Sequence, residues 1–335
     1  MNLHDKVRGC FLGLAIGDAL GKPTEGLPAS LIQREYGRIT TFFNLPDHED
    51  FDSLPPGTTT DDTQLSLAVA RGFIAASSFD LDAIASEHCA EFKKNVAGWG
   101  DTTREAVARI VNGTHWSQAA QTDKPRRGTG NGVGMKVAPV GLYMAQTNPN
   151  CTEPQWSNDI DKLAQLATMT HSTCMAVTSG FVQAFGVLAC FRSKPETFNV
   201  KAFIRAVTEA GRKGRRYLSE TITADDLGDR LGLLESHAEY TPARIIQEFR
   251  GTPYAFESLP FTLMFSCRNP LTIDALYDCV TAGGDTDTNG SMIGVLLGAL
   301  HGTAIFPPHL VDGLQDREVV LAVADKFFER YTGQT

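Results

Sequence analysis

The stretch AGGDTDTNGSMIGVLLGALHG, residues 282–302, joins an acidic start to an apolar remainder. Behind Asp285 and Asp287, glycine returns at every fourth position, as Gly290, Gly294, Gly298 and Gly302. Each glycine costs a helix interior about 1 kcal/mol relative to alanine, so a row of them requires a compensating gain. Close approach of a second helix backbone provides one. The stretch therefore predicts a buried central helix whose glycine face contacts another helix.

The same spacing occurs near the N-terminus, in GCFLGLAIGDALGKP at residues 9–23. Its glycines are Gly9, Gly13, Gly17 and Gly21. A stripe without side chains lets two buried helices pack at short range. We expect these two glycine-striped helices to be the central helices of the fold, packed on each other.

The rest of the chain shows mostly helical periodicity, with apolar residues returning every three or four positions. The helical windows are 7–20, 62–76, 81–97, 103–111, 160–169, 173–192, 200–218, 240–250, 272–280, 290–302 and 316–331. Sustained period-two alternation is missing, which favours an all-α domain. Loops are expected at 44–59, 112–135 and 145–157. None of them resembles a linker, so we expect one domain over residues 1–335.

Composition places the chain among globular proteins, with 335 residues, 42% hydrophobic and 21% charged. Its net charge of −9 is diffuse and disfavours a large surface for nucleic acid or membrane. Seven cysteines without CxxC spacing favour reduced thiols and a cytoplasmic location. We expect no signal peptide, and the longest apolar run, Met292 to Leu300, is too short to span a bilayer. A monomer is expected.

Acidic and hydroxyl side chains cluster at Glu25, at Thr60, Asp61 and Asp62, and at Asp285, Asp287 and Thr288. Both aspartate clusters stand where an apolar helix begins. Helix capping is one interpretation, because Asp and Thr are favoured N-caps. Capping needs one carboxylate per helix, however, whereas each cluster supplies two.

A metal site explains the surplus. If the two helices start at the same place, up to five negative charges meet there, and burying them without neutralisation is very costly. Two divalent cations would offset four of the charges. The ligands are all oxygens, which predicts Mg²⁺ or Mn²⁺ and disfavours zinc. The pattern points to metal-assisted hydrolysis.

Five motifs, in this order, resemble the ADP-ribosylglycohydrolase family. They are GLAIGDALGKPTEG, GTTTDDTQLSLA, GTGNGVGMKVAPVGL, MTHSTCMAVTSG and the opening stretch. The resemblance implies a compact, orthogonal all-α fold with a dinuclear Mg²⁺ or Mn²⁺ site in a cleft. It also implies a hydrolase that cleaves the glycosidic bond between ADP-ribose and an acceptor.

Position by position, the resemblance implies metal ligands at Thr60, Asp61, Asp62, Asp285, Asp287 and Thr288, and catalytic roles for Glu25, Asp101 and Asp285. The loop 126–135 resembles the family's pyrophosphate-binding segment, and its glycines let backbone N–H groups converge on an anion. The implied substrate-binding residues are Gly128, Thr129, Gly130, Asn131, Gly132 and His171. A flexible surface loop is the plainer interpretation of the glycines, and a hydrogen-bonded helix-start residue is that of His171.

Asp101 resembles an aspartate of the arginine-specific branch, where a carboxylate can pair with a guanidinium. Its alternative role is to cap a helix starting near Thr102. Trp99 and Tyr254 are candidate cleft walls, although aromatic residues also fill cores. We therefore favour ADP-ribosyl-arginine on a protein as substrate. The alternatives are serine-linked or free ADP-ribose derivatives, ADP-ribosylated nucleic acid, or a non-catalytic crystallin-like member of the fold.

Two positions depart from the resemblance. Lys136 stands where related sequences often carry arginine, and Asn289 stands where a small residue is common. Neither belongs to the acidic clusters. Residues 213–248 contain no motif of the family, so we infer nothing about partner specificity from them.

Overall fold

A computed structural model describes residues 2–44, 55–94, 96, 98–122, 124, 127–147, 157–218, 226–237 and 239–332. These residues form 17 α-helices. In chain order they are α1 (Leu3–Gly21), α2 (Ala29–Glu35), α3 (Asp61–Ala76), α4 (Leu81–Phe92), α5 (Asp101–Val111), α6 (Trp116–Ala119), α7 (Ala138–Thr147), α8 (Ser157–Thr170), α9 (Cys174–Arg192), α10 (Val200–Gly214), α11 (Leu227–Gly232), α12 (Pro242–Phe249), α13 (Ala255–Arg268), α14 (Asp274–Thr281), α15 (Thr286–His301), α16 (Pro308–Gly313) and α17 (Arg317–Thr332).

Helices α1 and α15 cross at the centre with their glycine stripes in contact. A Cβ added at Gly294 would lie 2.0 Å from the Gly13 carbonyl oxygen, and one added at Gly17 would lie 2.0 Å from that of Gly290. Gly21 lies against Thr286 at the other end of the contact, so the helices run antiparallel. The predicted pairing of the two stripes is confirmed. It brings the end of α1 to the start of α15.

The all-α fold class is confirmed. Within the described ranges there is no strand, and only two isolated β-bridges occur, between Pro28 and Gly283 and between Gly130 and Tyr254. The glycine-rich loop is followed by a 3₁₀ turn, Gly134–Lys136, and α7, and no strand precedes it in the described part of the chain. It is therefore no dinucleotide-binding strand–loop–helix unit.

Sequence periodicity missed several helices, notably α7 and α13. Most side chains of both are buried, so apolar residues occupy nearly all faces and a 3.6-residue stripe is not visible. α13 also contains Pro260, which argues against a helix when only the sequence is read. The structure accommodates this proline within a buried helix.

Several predicted boundaries shift. α4 ends at Phe92 rather than 97, α10 ends at Gly214 rather than 218, and the predicted loop at 112–135 contains α6. In the predicted loop at 145–157, residues 145–147 belong to α7, and 157 begins α8. Residues 148–156, like 45–54 in the first predicted loop, lie outside the described residues.

Helix α9 lies in the interior. It is the one described helix that is long and apolar enough to cross a membrane, and 89% of its most apolar window is buried inside the protein. A buried core helix has the same length and composition. The six described cysteines are free thiols, and five of them are buried.

Candidate active site

The N-termini of α3 and α15 meet beside the last turn of α1. The Thr288 hydroxyl of α15 lies 3.3 Å from Asp62 Oδ2 of α3. The N-cap positions of these helices are Thr60 and Asp285, and neither side chain makes a capping hydrogen bond. Capping therefore does not account for the acids, which face each other across the gap between the two helices.

Asp18 of α1 belongs to the same group, and sequence reasoning missed it. Its Oδ2 accepts hydrogen bonds from Thr60 N at 2.9 Å, Thr63 N at 3.1 Å and Thr63 Oγ1 at 2.6 Å, while Oδ1 accepts from Thr60 Oγ1 at 2.7 Å. The carboxylate thus binds the first turn of α3 from the side. Its signal in the sequence was an aspartate inside a buried apolar helix, which requires compensating hydrogen bonds.

The carboxylates form two overlapping groups. Oxygens of Asp18, Asp62 and Asp287 lie within 4.8 Å of one another, as do oxygens of Glu25, Asp285 and Asp287. Asp62 Oδ1 is buried and has no hydrogen-bond partner among the described residues. A buried, unpartnered carboxylate oxygen is costly, and a cation would satisfy it. An all-oxygen donor set fits a hard divalent ion such as Mg²⁺ or Mn²⁺.

Burial and mutual repulsion disfavour ionisation of these acids. Burial, and next the Asp18 charge, raise the pKa of Asp61 to about 7. The pKa values of Asp62 and Asp287 rise well above the ordinary range, again chiefly through burial. Lys22, also missed from the sequence, counters part of this charge, because its Nζ lies 3.6 Å from Asp287 and pairs with Glu25.

The glycine-rich loop is bound directly to the acidic cluster. Asn131 Nδ2 donates to Asp285 Oδ2 at 2.6 Å and lies 3.1 Å from Ser258 Oγ. The Asp285 N–H in turn donates to the carbonyl of Gly251 at 2.6 Å, and Asn289 Nδ2 donates to the same carbonyl at 2.9 Å. Asn131 therefore orients a predicted metal ligand.

A cavity of about 230 Å³ opens at this cluster. Eleven predicted site residues line it, namely Glu25, Asp61, Asp62, Asp101, Gly130, Asn131, Gly132, His171, Asp285, Asp287 and Thr288. The remaining lining residues were not predicted, and they are Gly98, Gly100, Thr102, Thr103, Met135 and Pro253. The structure thus brings most of the predicted residues to one concave surface.

Five predicted residues do not line this cavity. Thr60 is buried behind it, and its hydroxyl donates to Asp18. Gly128 and Thr129 lie further along the loop, where the Gly128 carbonyl accepts from Thr173 Oγ1 and the Thr129 carbonyl accepts from the Ala255 N–H. Tyr254 meets Gly130 through its backbone, and its ring is 5.9 Å from that of Phe256.

Trp99 is a core residue rather than a cleft wall. Its side chain packs with Leu65, Val107 and Met135, and the residue is 4% exposed. Its indole N–H donates to Gln64 Oε1 at 2.9 Å. Burial of a large ring with its one donor satisfied is the ordinary role of tryptophan in a core.

Asp101 is the first residue of α5, and the N-cap is Gly100, so the capping alternative is wrong. Its side chain is 58% exposed at the rim of the cavity. It forms an ion pair with Arg104, and Arg127 Nη1 lies 3.7 Å away. Asp101 thus already faces two guanidinium groups.

Comparison with known proteins agrees with this geometry. The family model for ADP-ribosylglycohydrolase matches residues 1–335. The chain belongs to the ADP-ribosylglycohydrolase family. One relative is the ADP-ribosyl-[dinitrogen reductase] glycohydrolase of Rhodospirillum rubrum, 24% identical over 91% of this chain and 89% of the relative. Another is the ADP-ribosylhydrolase ARH3 of Homo sapiens, 23% identical over 97% of this chain and 94% of that protein.

A solved structure described as an ADP-ribosylglycohydrolase-related protein complex shares the fold. It superposes with a TM-score of 0.71 at 23% identity, over 98% of this chain and 99% of that one. Membership of this family indicates that the reaction class is hydrolysis of an ADP-ribosyl bond. The acidic groups described above are where such a protein can bind metal.

Proposed function

We propose that this protein is a metal-dependent hydrolase that cleaves the glycosidic bond between ADP-ribose and arginine on a protein. One observation carries the proposal. Buried carboxylates from α3 and α15 converge in the cavity, whose wall also includes the glycine-rich loop. Oxygens of Asp18 of α1 lie within 4.8 Å of those of Asp62 and Asp287, and Asp62 Oδ1 has no hydrogen-bond partner among the described residues. An enclosed anionic site next to a backbone-rich loop suits a cationic cofactor and a phosphorylated sugar together.

We assign two Mg²⁺ or Mn²⁺ ions to ligands from the starts of α3 and α15. The ligand residues are Thr60, Asp61, Asp62, Asp285, Asp287 and Thr288. When bound, such ions hold substrate hydroxyls and acidify water. Asp18 fixes the first turn of α3, which carries three of these residues, through four hydrogen bonds.

Glu25 is the acid/base group in this proposal. Its side chain is 42% exposed, lines the cavity and pairs with Lys22. Contact with solvent lets a carboxyl group exchange protons with water. The buried aspartates add negative charge, which stabilises a developing oxocarbenium ion on the ribose.

The loop from Gly128 to Gly132 binds the pyrophosphate in this proposal. Gly130 and Gly132 line the cavity, and Gly128 has a φ of 80°, which other residues rarely adopt. Arg127 lies beside the loop and adds positive charge, while Arg126 falls outside the described residues. Backbone N–H groups and a guanidinium together recognise phosphate oxygens.

Asp101 supports arginine as the acceptor. This exposed carboxylate at the cavity rim accommodates the guanidinium of Arg104 and lies near that of Arg127. A substrate guanidinium has the same chemistry and can replace the intramolecular partner. Every position where the family resemblance implies a metal ligand carries a carboxylate or a hydroxyl group, which argues against a non-catalytic, crystallin-like role. We further propose a monomeric, cytoplasmic, single-domain enzyme.

The test compares linkages directly. Arginine-linked and serine-linked ADP-ribosylated peptides are incubated with the protein and Mg²⁺ or Mn²⁺, and free ADP-ribose is measured. Release from the arginine-linked peptide alone supports the proposal. Release from the serine-linked peptide alone would show that the enzyme is specific for serine-linked ADP-ribose. Release from neither peptide, together with no release from small-molecule ADP-ribose derivatives or from ADP-ribosylated nucleic acid, contradicts a hydrolase.

A further inference from the structure

A chain of buried polar groups runs behind the cavity and ends at His171. Lys136, directly after the glycine-rich loop, is fully buried, and its Nζ donates to Thr170 Oγ1 at 2.7 Å. Thr170 Oγ1 lies 2.9 Å from His171 Nδ1. Lys136, Thr170 and His171 come from two separate segments of the chain, so tertiary packing alone brings them together.

The other edge of His171 faces the cavity. A Cβ at Gly132 would lie 2.9 Å from His171 Cε1 and 3.0 Å from Nε2, and both residues line the cavity wall. Among the residues that the structure describes, none forms a hydrogen bond with Nε2. The imidazole is therefore held at Nδ1 and available at Nε2.

The chemistry of the donors decides which nitrogen carries the proton. A lysine ammonium has three donors and no lone pair, so it can only donate to Thr170. The Thr170 hydroxyl accepts this bond through its oxygen, so its own O–H remains free to donate. The neighbouring acceptor is His171 Nδ1. Burial, and next the Lys136 charge, lower the pKa of His171 to about 3, so the ring is neutral with a single N–H. That N–H must then be at Nε2.

We propose that Lys136 is a positioning residue which acts through Thr170 to fix His171 as the Nε2–H tautomer, a hydrogen-bond donor aimed at an acceptor oxygen of the bound ligand. Under the proposed function, on which this use of His171 rests, the acceptor is a phosphate or hydroxyl oxygen of ADP-ribose. The hydrogen-bond chain itself does not depend on that function.

A second buried histidine supplies an internal comparison. His88 of α4 is fully buried, and its Nδ1 lies 2.9 Å from the carbonyl of Ile84, which can only accept. His88 is therefore protonated at Nδ1, and its Nε2 has no hydrogen-bond partner among the described residues. One protein thus contains two neutral buried imidazoles with opposite tautomers.

The experiment measures the tautomers by NMR, independently of catalysis. Long-range ¹H–¹⁵N spectra of protein labelled in histidine are recorded below the Lys136 pKa, which burial lowers to about 7. His171→Gln and His88→Gln variants assign the two signals. We expect Nε2–H for His171 and Nδ1–H for His88, and we expect added ADP-ribose to shift the His171 Nε2 signal but not that of His88.

Lys136→Met and Lys136→Arg form the matched pair. Methionine removes the donor but keeps the buried chain, so the Nδ1–H form of His171 becomes populated, whereas arginine retains a donor and preserves Nε2–H. In the methionine variant KM for the ADP-ribosylated substrate rises about fivefold with kcat within about twofold, as expected for one lost binding hydrogen bond. Arginine restores KM.

Two results overturn the proposal. One is an Nδ1–H His171 in the wild-type protein, which needs no variant to be observed. The other is an unchanged tautomer and KM in Lys136→Met. If the tautomer and the ADP-ribose shift are as expected but no ADP-ribosylated substrate is hydrolysed, the proposed function fails while the role of Lys136 stands.

Discussion

Asp18 accepts hydrogen bonds from both the hydroxyl and the backbone N–H of Thr60, at 2.7 and 2.9 Å. These bonds connect the last turn of α1 to the first turn of α3. Thr63 adds two more to the same carboxylate. Asp61 and Asp62 lie between the two threonines, so Asp18 sets where their carboxylates can point.

Asp18→Asn is expected to destabilise the protein by about 2–4 kcal/mol, because a buried amide group faces N–H and O–H donors that it cannot all accept from. Urea unfolding measures the loss. Asp80→Asn is the matched control, since Asp80 caps α4 by accepting from Ala83 N and asparagine caps equally well, so its effect stays below about 0.5 kcal/mol. Equal unfolding midpoints for the two variants would contradict the role of Asp18.

Gly294→Ala is expected to cost about 3 kcal/mol or more, or to prevent folding, because the added methyl group meets the Gly13 carbonyl at 2.0 Å. Gly232→Ala at the end of α11 is the control. Its Cβ has no neighbour closer than 3.8 Å, so the change is neutral or slightly stabilising. Thermal unfolding of both variants checks the pair. A folded Gly294→Ala protein with unchanged Tm would disprove the close helix contact.

Mg²⁺ or Mn²⁺ is expected to raise the Tm of the wild-type protein, by an amount equivalent to about 2.7 kcal/mol at a hundredfold excess over Kd. Asp62→Asn replaces one carboxylate oxygen with an amide NH₂ group and removes the negative charge, so this variant shows a much smaller rise. It is also more stable than wild type without metal at neutral pH, since the buried Asp62 carboxyl must either carry a charge or take up a proton and asparagine needs neither. The exposed Asp312→Asn, with a side chain 69% exposed, keeps the full response. A full response in Asp62→Asn argues against the assigned site.

Stability of the metal-free protein is expected to fall as pH rises from about 4 to about 7. Burial raises the pKa of Asp61 from 3.8 to about 7, so the folded state holds this proton more tightly than the unfolded state does. The stabilisation is complete below the unfolded pKa and is lost as pH passes through the folded pKa. Urea unfolding in EDTA across this range measures it. Saturating Mg²⁺ should flatten or reverse the slope, because metal binding requires ionised carboxylates. A stability that does not change with pH in EDTA would contradict the raised pKa of Asp61.

Asp101→Ala is expected to lower kcat/KM for an arginine-linked ADP-ribosyl peptide about ten- to a hundredfold, the effect of losing one charged hydrogen-bonded contact. Activity on any serine-linked substrate should change little. Asp312→Ala, another exposed aspartate that pairs with an arginine, is the control and should leave both activities unchanged. Equal losses on both linkages would show that Asp101 does not select the guanidinium.

The sequence by itself determined the central helix pair and the two acidic helix starts. Glycine at every fourth position in α1 and α15 is explained by close contact between the two helix backbones. The paired carboxylates at Asp61–Asp62 and Asp285–Asp287 exceed what helix capping requires. These are local patterns with strong physical consequences. The family resemblance then added ADP-ribose, which spacing and charge alone do not specify.

Only the tertiary structure decided the rest. Asp18 and Lys22 join the cluster because the antiparallel α1–α15 contact brings the end of one helix to the start of the other. Trp99 was a candidate cleft wall, yet it packs in the core, since the sequence does not tell which way a ring points. Tertiary packing also connects Lys136 to His171 through Thr170. Hydrogen bonds between distant segments depend on packing that no local sequence pattern encodes.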